Sequence, residues 1–347
     1  MKVINGFFYS QKVTGVQRFA RELVNELDVI SAPNEYVIVM PQYVEETPDL
    51  KNIEVVKYGN TKGLLWEQWD LFRFVYRKKS ILISLCNSQP ILYPSIICIH
   101  DVAYKTHPEF FKTFYGRLSV IWHRFLFHQA VKRGCHIFTV SYFSKYSIID
   151  TYGVKDKSRI SVLGNAWQHI KAISPDDSIL QKNNLQKGDF FFTLGNVNYN
   201  KNIRWILNYA QKHSDQCFVV SGRKVRNSKI DIESVPNVKW LGYVSDNEIV
   251  SLYKYCKAFI FPSIHEGFGI PPLEALSLGA KVIVANTSCL PEIFQGSVYY
   301  IDPYDTSINL DELLSKTSIA PAHLVLDRYS WKNIAEEFKK KVELLKV

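Results

Sequence analysis

The 347 residues suffice for two ordinary domains, each with a core of its own. Hydrophobic residues at 47% and charged residues at 22% exclude a disordered or fibrous chain, and no apolar run approaches the roughly 20 residues that span a bilayer. A net charge of +9, from 42 Lys and Arg against 33 Asp and Glu, suits an anionic partner such as a nucleoside diphosphate, an acidic membrane surface or nucleic acid.

Met1-Lys2-Val3-Ile4-Asn5 is already strand-like, which leaves no room for a signal peptide. Thr14 suits the N-cap of a helix over 15–27, with Ala20, Leu23, Val24 and Leu27 on one apolar face. The pattern then predicts a strand at 36–40, an aromatic helix at 64–76, strands at 81–85 and 95–100, and a long helix near 111–132. A strand at 136–140, a helix at 144–152 and a short strand at 160–163 complete the first half. Residues 171–187 are polar, contain Pro175, Asp176 and Asp177, and read as a linker.

Alternation restarts with strands at 190–194, 218–221, 238–241, 258–262, 281–285 and 298–301 and helices at 202–213, 247–255 and 272–278, before an amphipathic helix over 330–345. Strand and helix in repeated succession imply parallel sheets covered by helices. The expected fold class is therefore α/β, two doubly wound, Rossmann-like domains facing a central cleft. Residues 1–170 and 171–329 form the domains, and the helix over 330–347 packs back on the first. The cysteines (Cys86, Cys98, Cys135, Cys217, Cys256, Cys289) lie far apart with no C-x-x-C pair, which argues against a metal or disulfide framework and for a reducing cytosol.

The richest stretch is His265-Glu266-Gly267-Phe268-Gly269-Ile270-Pro271-Pro272-Leu273-Glu274, which follows the apolar run Ala258-Phe259-Ile260-Phe261-Pro262-Ser263. It reads as a buried strand, a glycine loop and a helix with prolines at its entry and Glu274 in its first turn. Gly267 and Gly269 let backbone approach a ligand, and the helix start offers N–H groups to an anion. Glu274 also suits a first helical turn without any ligand, and Glu266 an ordinary solvated loop. Lys201, in Gly195-Asn196-Val197-Asn198-Tyr199-Asn200-Lys201-Asn202, stands at a helix start where a cation opposes the dipole and wants an anion.

Glu266-x7-Glu274 with Pro262-Ser263-x-x-Glu266-Gly267-Phe268-Gly269 resembles the E-x7-E segment of the family-4 retaining glycosyltransferases of GT-B fold, and the likeness runs over nearly the whole chain. The resemblance implies that Glu266 meets the donor sugar's hydroxyls, that Glu274 binds the ribose, and that the amides of Gly267, Phe268 and Gly269 face sugar and diphosphate. Lys201 and Asn202 match the family's Arg-Lys-Asn, with Asn200 in place of the arginine; Gly195 and Asn196 open the same donor-binding segment, and Arg223 with Lys224 would restore the missing charge. Thr14-Gly15-Val16 is similar to the N-terminal glycine turn, with Gly15 as its one glycine. Ile99-His100-Asp101-x5-His107-Pro108-Glu109 is similar to the segment whose histidine faces the reacting carbon, a role that falls to His100. Tyr243-Val244 matches the loop whose backbone reads the base. Trp66-Glu67-Gln68, Thr139-Val140-Ser141-x-x-Ser144 and Gly164-Asn165-Ala166 also match or depart from family segments and receive no catalytic role.

The implied reaction is transfer of a hexosyl group, mannosyl first, from a nucleoside diphosphate sugar to an acceptor hydroxyl in lipopolysaccharide or capsule assembly, with retention and with His100, Glu266 and Lys201 as catalytic groups. GDP is the first choice of base carrier, with UDP- and dTDP-sugars as alternatives. No cofactor and no metal are expected, since no convincing Asp-x-Asp stands in the sequence. The acceptor is an oligosaccharide or lipid-linked glycan. Aromatics at Phe110, Phe111, Phe114, Tyr115, Trp122, Phe125 and Phe127 mix with Lys112, Arg117, His123, Arg124, Lys132 and Arg133; they read either as a core helix with solvated cations or as a surface for anionic membrane, hence a cytoplasmic protein at the inner face of the membrane. Basic residues are otherwise dispersed, which disfavours nucleic acid. The competing readings are a nucleotide-sugar epimerase on the same fold and a non-catalytic nucleotide-sugar-binding subunit of a glycan assembly complex.

Overall fold

The computed structural model describes residues 1–93, 95–195, 199–222 and 235–345. The chain divides into two units, Met1–Asn165 with Trp331–Val347, and Ala166–Ser330. Each is built on a wholly parallel sheet.

In the first unit, seven strands run β1 (Lys2–Asn5), β2 (Tyr36–Pro41), β3 (Glu54–Tyr58), β4 (Ile81–Ser84), β5 (Ile96–Cys98), β6 (His136–Thr139) and β7 (Ile160–Val162), in the order β3-β2-β1-β4-β5-β6-β7. Every residue of β2 is buried, as expected of a strand covered on both faces. The edge strand β3 is absent from the sequence expectation because Glu54 and Lys57 face solvent and interrupt its apolar signal. The stretch expected as one helix at 64–76 contains a π-helical turn, Trp66–Leu71, before the α-helix Phe72–Lys78. The long aromatic helix begins at Phe114, where Thr113 accepts from the Gly116 N–H at 3.0 Å.

The helix Gly15–Ile30 buries Phe19, Ala20, Leu23, Val24 and Leu27. Against it lies the helix Trp331–Leu344, with the Phe19 and Trp331 rings 6.1 Å apart, while Phe338 meets Phe138 of β6 at 4.9 Å. The Lys339 ammonium donates to the Ile30 carbonyl at 3.2 Å, capping the helix end, and to Glu35 at 2.6 Å.

The second unit has six strands, β8 (Phe190–Leu194), β9 (Cys217–Ser221), β10 (Val238–Gly242), β11 (Ala258–Phe261), β12 (Val282–Ala285) and β13 (Tyr299–Ile301), ordered β10-β9-β8-β11-β12-β13. The segment expected as a bare linker contains the helix Ser178–Lys182, which buries Ile179 and Leu180. Strand order reverses between β1 and β4 in one sheet and between β8 and β11 in the other. In open parallel sheets such reversals leave a crevice at the carboxyl ends of the strands.

Candidate active site

At the reversal in the second unit, β8 runs out into Gly195 and β11 into Pro262, whose missing N–H ends the ladder. The loop that follows is pinned from several sides. Ile264 N–H donates to the Asn200 carbonyl at 2.8 Å, the Thr287 hydroxyl to the Ile264 carbonyl at 3.4 Å, and Glu266 N–H to the Ser288 hydroxyl at 3.2 Å. Lys201 closes the 3-10 turn Tyr199–Lys201, and its ammonium donates to Glu266 Oε1 at 2.6 Å, 5.0 Å from the Phe261 ring centroid. The pair is partly open, the two side chains 23% and 14% exposed. A Cβ on Gly195 would lie 3.3 Å from Lys201 Cγ, so a side chain there would press on the lysine stem. Asn202 sits at φ +52° and its amide donates to the Pro262 and Pro303 carbonyls at 3.2 and 2.7 Å, which makes it a clamp between loops.

Gly269 adopts φ +100°, and the helix Ile270–Ser277 starts directly after it. Glu274 therefore stands in the second turn, not the first, because the left-handed Gly269 begins the helix two residues earlier than the prolines suggest. Favourable placement against the helix dipole does not explain this acid. Its carboxylate is buried, with Oε1 2.8 Å from His169 Nε2 and Oε2 accepting from the Tyr253 hydroxyl at 3.2 Å. A carboxylate offers about four lone-pair sites, so these two bonds leave capacity for a ligand. Burial, and then the Glu274 charge, push the Tyr253 hydroxyl well above its ordinary range. Phe268 is buried edge-on against Tyr329, ring centroids 5.0 Å apart, and is not available to a ligand as a side chain. His169 was not singled out by sequence; it lies just ahead of the polar linker and no motif marks it.

Gly267 lies in the same loop. Tyr243 is exposed and Val244 buried after β10, beyond Gly242 at φ +69°. Asn196 and Arg223, with Lys224, lie outside the described residues.

The remaining expected groups, Gly15 and His100, belong to the first unit. Gly15 is exposed at the start of its helix, where the Gln17 side-chain oxygen accepts from both the N–H and the hydroxyl of Thr14. His100 is buried just beyond β5, its Nε2–H donating to the Leu85 carbonyl at 3.0 Å and its ring edge-on to Phe19 at 4.9 Å. Burial lowers its pKa, partly opposed by Leu85 and Asp101, so the ring is held neutral near pH 7. Asp101 caps the Ala103 N–H at 2.8 Å and so orders the next loop. Among the described residues no cluster of three His, Cys, Asp or Glu side chains could hold a metal ion, and no helix is long and apolar enough to cross a membrane.

Residues 176–321 match the model of the glycosyl transferases group 1. The chain is 30% identical to the O-antigen chain mannosyltransferase RfbU of Salmonella typhimurium, over 78% of this chain and 73% of the relative. It is 24% identical to the O-antigen chain mannosyltransferase B of Escherichia coli, over 93% and 90%. Among solved structures it is similar to Anabaena HepE in complex with UDP and glucose (TM-score 0.71, 15% identity, 99% of each chain) and to WaaG, a glycosyltransferase of lipopolysaccharide biosynthesis (TM-score 0.66, 14% identity, 98% of this chain and 95% of that one).

Proposed function

Since the chain belongs to the group 1 glycosyl transferases and is thus a glycosyltransferase, we propose that it moves a mannosyl group from a nucleoside diphosphate sugar, GDP-mannose first, to a hydroxyl of a surface-glycan acceptor, with retention. The observation that carries this reading is the Lys201–Glu266 pair at the mouth of the glycine loop. It sets a cation for the departing diphosphate beside a carboxylate for sugar hydroxyls, which are adjoining parts of such a donor. Leaving-group charge on the diphosphate falls to Lys201 and to the backbone N–H groups of Gly267, Phe268 and Gly269, with no metal required. Glu274, held by His169 and Tyr253, takes the ribose, and backbone at Tyr243 and Val244 meets the base; for the first unit by itself, His100, a neutral hydrogen-bonding group, and Gly15 are the groups proposed for donor recognition. Both mannosyltransferase relatives support the choice of sugar, and nothing favours an epimerase.

The partner reading extends to an anionic membrane. On the helix Phe114–Lys132, Val120, Leu126, Phe127 and Ala130 face the core, while Phe114, Leu118, Ile121 and Phe125, spaced four, three and four apart, form a second apolar stripe that is exposed. Between Glu109 and Asp150 the sequence has no carboxylate and six Lys or Arg, including Arg117, Lys132 and Arg133. An exposed apolar stripe on a segment rich in cations suits a lipid headgroup layer.

A thermal-shift screen against GDP-mannose, UDP-glucose and dTDP-rhamnose tests the donor. GDP-mannose is expected to raise Tm, by a linkage of about 2.7 kcal/mol at a hundredfold excess over Kd. A chain stabilised by none of the three would sink the donor assignment.

A further inference from the structure

The chain enters the second unit at Ala166 and at once forms a four-residue helix, Gln168–Lys171. So short a helix has no stability of its own. Its neighbours hold it instead. The Trp167 indole donates to the Leu326 carbonyl at 3.0 Å, the Gln168 amide donates to the Tyr329 carbonyl at 3.0 Å, and Ile170 is buried. Tyr329 in turn packs edge-on against Phe268 of the glycine loop. His169 stands between the anchored Gln168 and Ile170, so its ring has few positions to choose from.

That ring meets Glu274, 105 residues further along the chain. A carboxylate only accepts, so it is the His169 Nε2–H that donates to Oε1 at 2.8 Å. The Tyr253 hydroxyl, held protonated by burial and then by the Glu274 charge, donates to Oε2 at 3.2 Å. Each carboxylate oxygen thus has one donor from the protein and one lone pair left. The His169 side chain is 4% exposed and that of Glu274 11%, so the acid keeps an open edge while the histidine is covered. Whatever His169 does to a ligand, it does through Glu274.

We propose that His169 is a positioning residue that selects the sugar's nucleotide carrier: by locking the Glu274 carboxylate it presents one lone pair of each oxygen side by side, a receptor for two adjacent hydroxyls that favours a ribonucleotide over a 2′-deoxyribonucleotide. The inference rests on the reading that Glu274 takes the ribose. A vicinal diol fills both lone pairs, whereas 2′-deoxyribose leaves one buried acceptor without a donor. A site built to hydrogen-bond a hydroxyl rejects the analogue that lacks it. Without the Nε2–H, Glu274 is tethered at one oxygen only, and its last side-chain torsion, broad by nature, lets the carboxylate turn away from the diol. On this account dTDP-sugars are poor donors, and the choice of carrier narrows to ribonucleotides such as GDP and UDP.

Calorimetric titration of the full chain with GDP, UDP and their 2′-deoxy counterparts tests the assignment. Two variants accompany wild type: His169→Phe, which keeps a ring without a donor, and His169→Gln, which keeps an N–H. In wild type the better-bound ribonucleotide should exceed its 2′-deoxy analogue by about tenfold, the worth of one hydrogen bond. His169→Phe should weaken the ribonucleotide about tenfold and the analogue less, which brings their ratio towards one at an unchanged Tm. His169→Gln should restore much of the preference. Equal binding of the two sugars by wild type would overturn the proposal without any variant. So would an undiminished ribose preference in folded His169→Phe protein, or equal losses for both sugars, the mark of a purely structural residue. Glu274→Gln separates the two readings. If it leaves ribonucleotide affinity unchanged, the ribose reading fails and takes this one with it; if it weakens binding while His169→Phe does not, only the role of His169 fails.

Discussion

Lys201 and Glu266 neutralise each other at 2.6 Å, so on the proposed reading a donor competes with that pair for each charge. Removing the cation leaves Glu266 to repel the diphosphate. Lys201→Ala is therefore expected to lower kcat/KM by about 2–4 kcal/mol of transition-state stabilisation, the scale of one oxyanion donor; turnover within about threefold of wild type would remove Lys201 from the site. Glu274 calls for a gentler probe, because alanine would strand the buried partners His169 and Tyr253. Glu274→Gln should weaken nucleotide binding about tenfold in calorimetry with the fold intact, and unchanged affinity would exclude the ribose role. The two acids and the lysine were legible because glycines, prolines and a carboxylate spacing mark them in the sequence. His169 was not legible: its partner lies 105 residues along the chain, and only folding brings the two together.

At the scale of elements, the helix Phe114–Lys132 carries two apolar faces and only one is covered. Charge reversal at the exposed Arg117 and Lys132 should weaken sedimentation with anionic vesicles by about 1 kcal/mol or more per residue, and leave neutral vesicles unaffected. Equal binding by Arg117→Glu/Lys132→Glu and wild type would argue that the exposed stripe meets something other than acidic lipid. Long periodic helices and continuous apolar strands such as β2 and β11 were readable from pattern, because burial on both faces forces uniform apolarity. The edge strand β3 and the short helices Leu290–Phe294, Leu310–Lys316 and His323–Leu326 were missed. Elements of three to seven residues complete too little of any period to stand out. The early start of the helix at Ile270 was missed because the φ +100° of Gly269 is not written in composition.

For the molecule as a whole, two sheets whose strand order reverses direction, at β1/β4 in one and at β8/β11 in the other, bring each candidate pocket to the carboxyl ends of strands. The alternation of elements made the pair of parallel sheets foreseeable, since no other arrangement buries so many uninterrupted apolar strands. What it could not supply is side-chain geometry at the reversals, which depends on loops. The first unit depends on its late helix: Phe338→Ala, which empties the contact with Phe138, should cost about 3–5 kcal/mol in chemical denaturation. A loss below about 1 kcal/mol would mean that the helix is not integral to that core.

That late helix has a consequence for biogenesis. The 165 residues from Ala166 to Ser330 are synthesised between the first unit's body and the segment that seals it. At elongation of about 5–20 residues per second, roughly ten to thirty seconds pass with the Phe19 and Phe138 surfaces uncovered on the nascent chain. Chaperone capture during that interval, or aggregation when translation stalls inside the second unit, is the hazard this connectivity builds in.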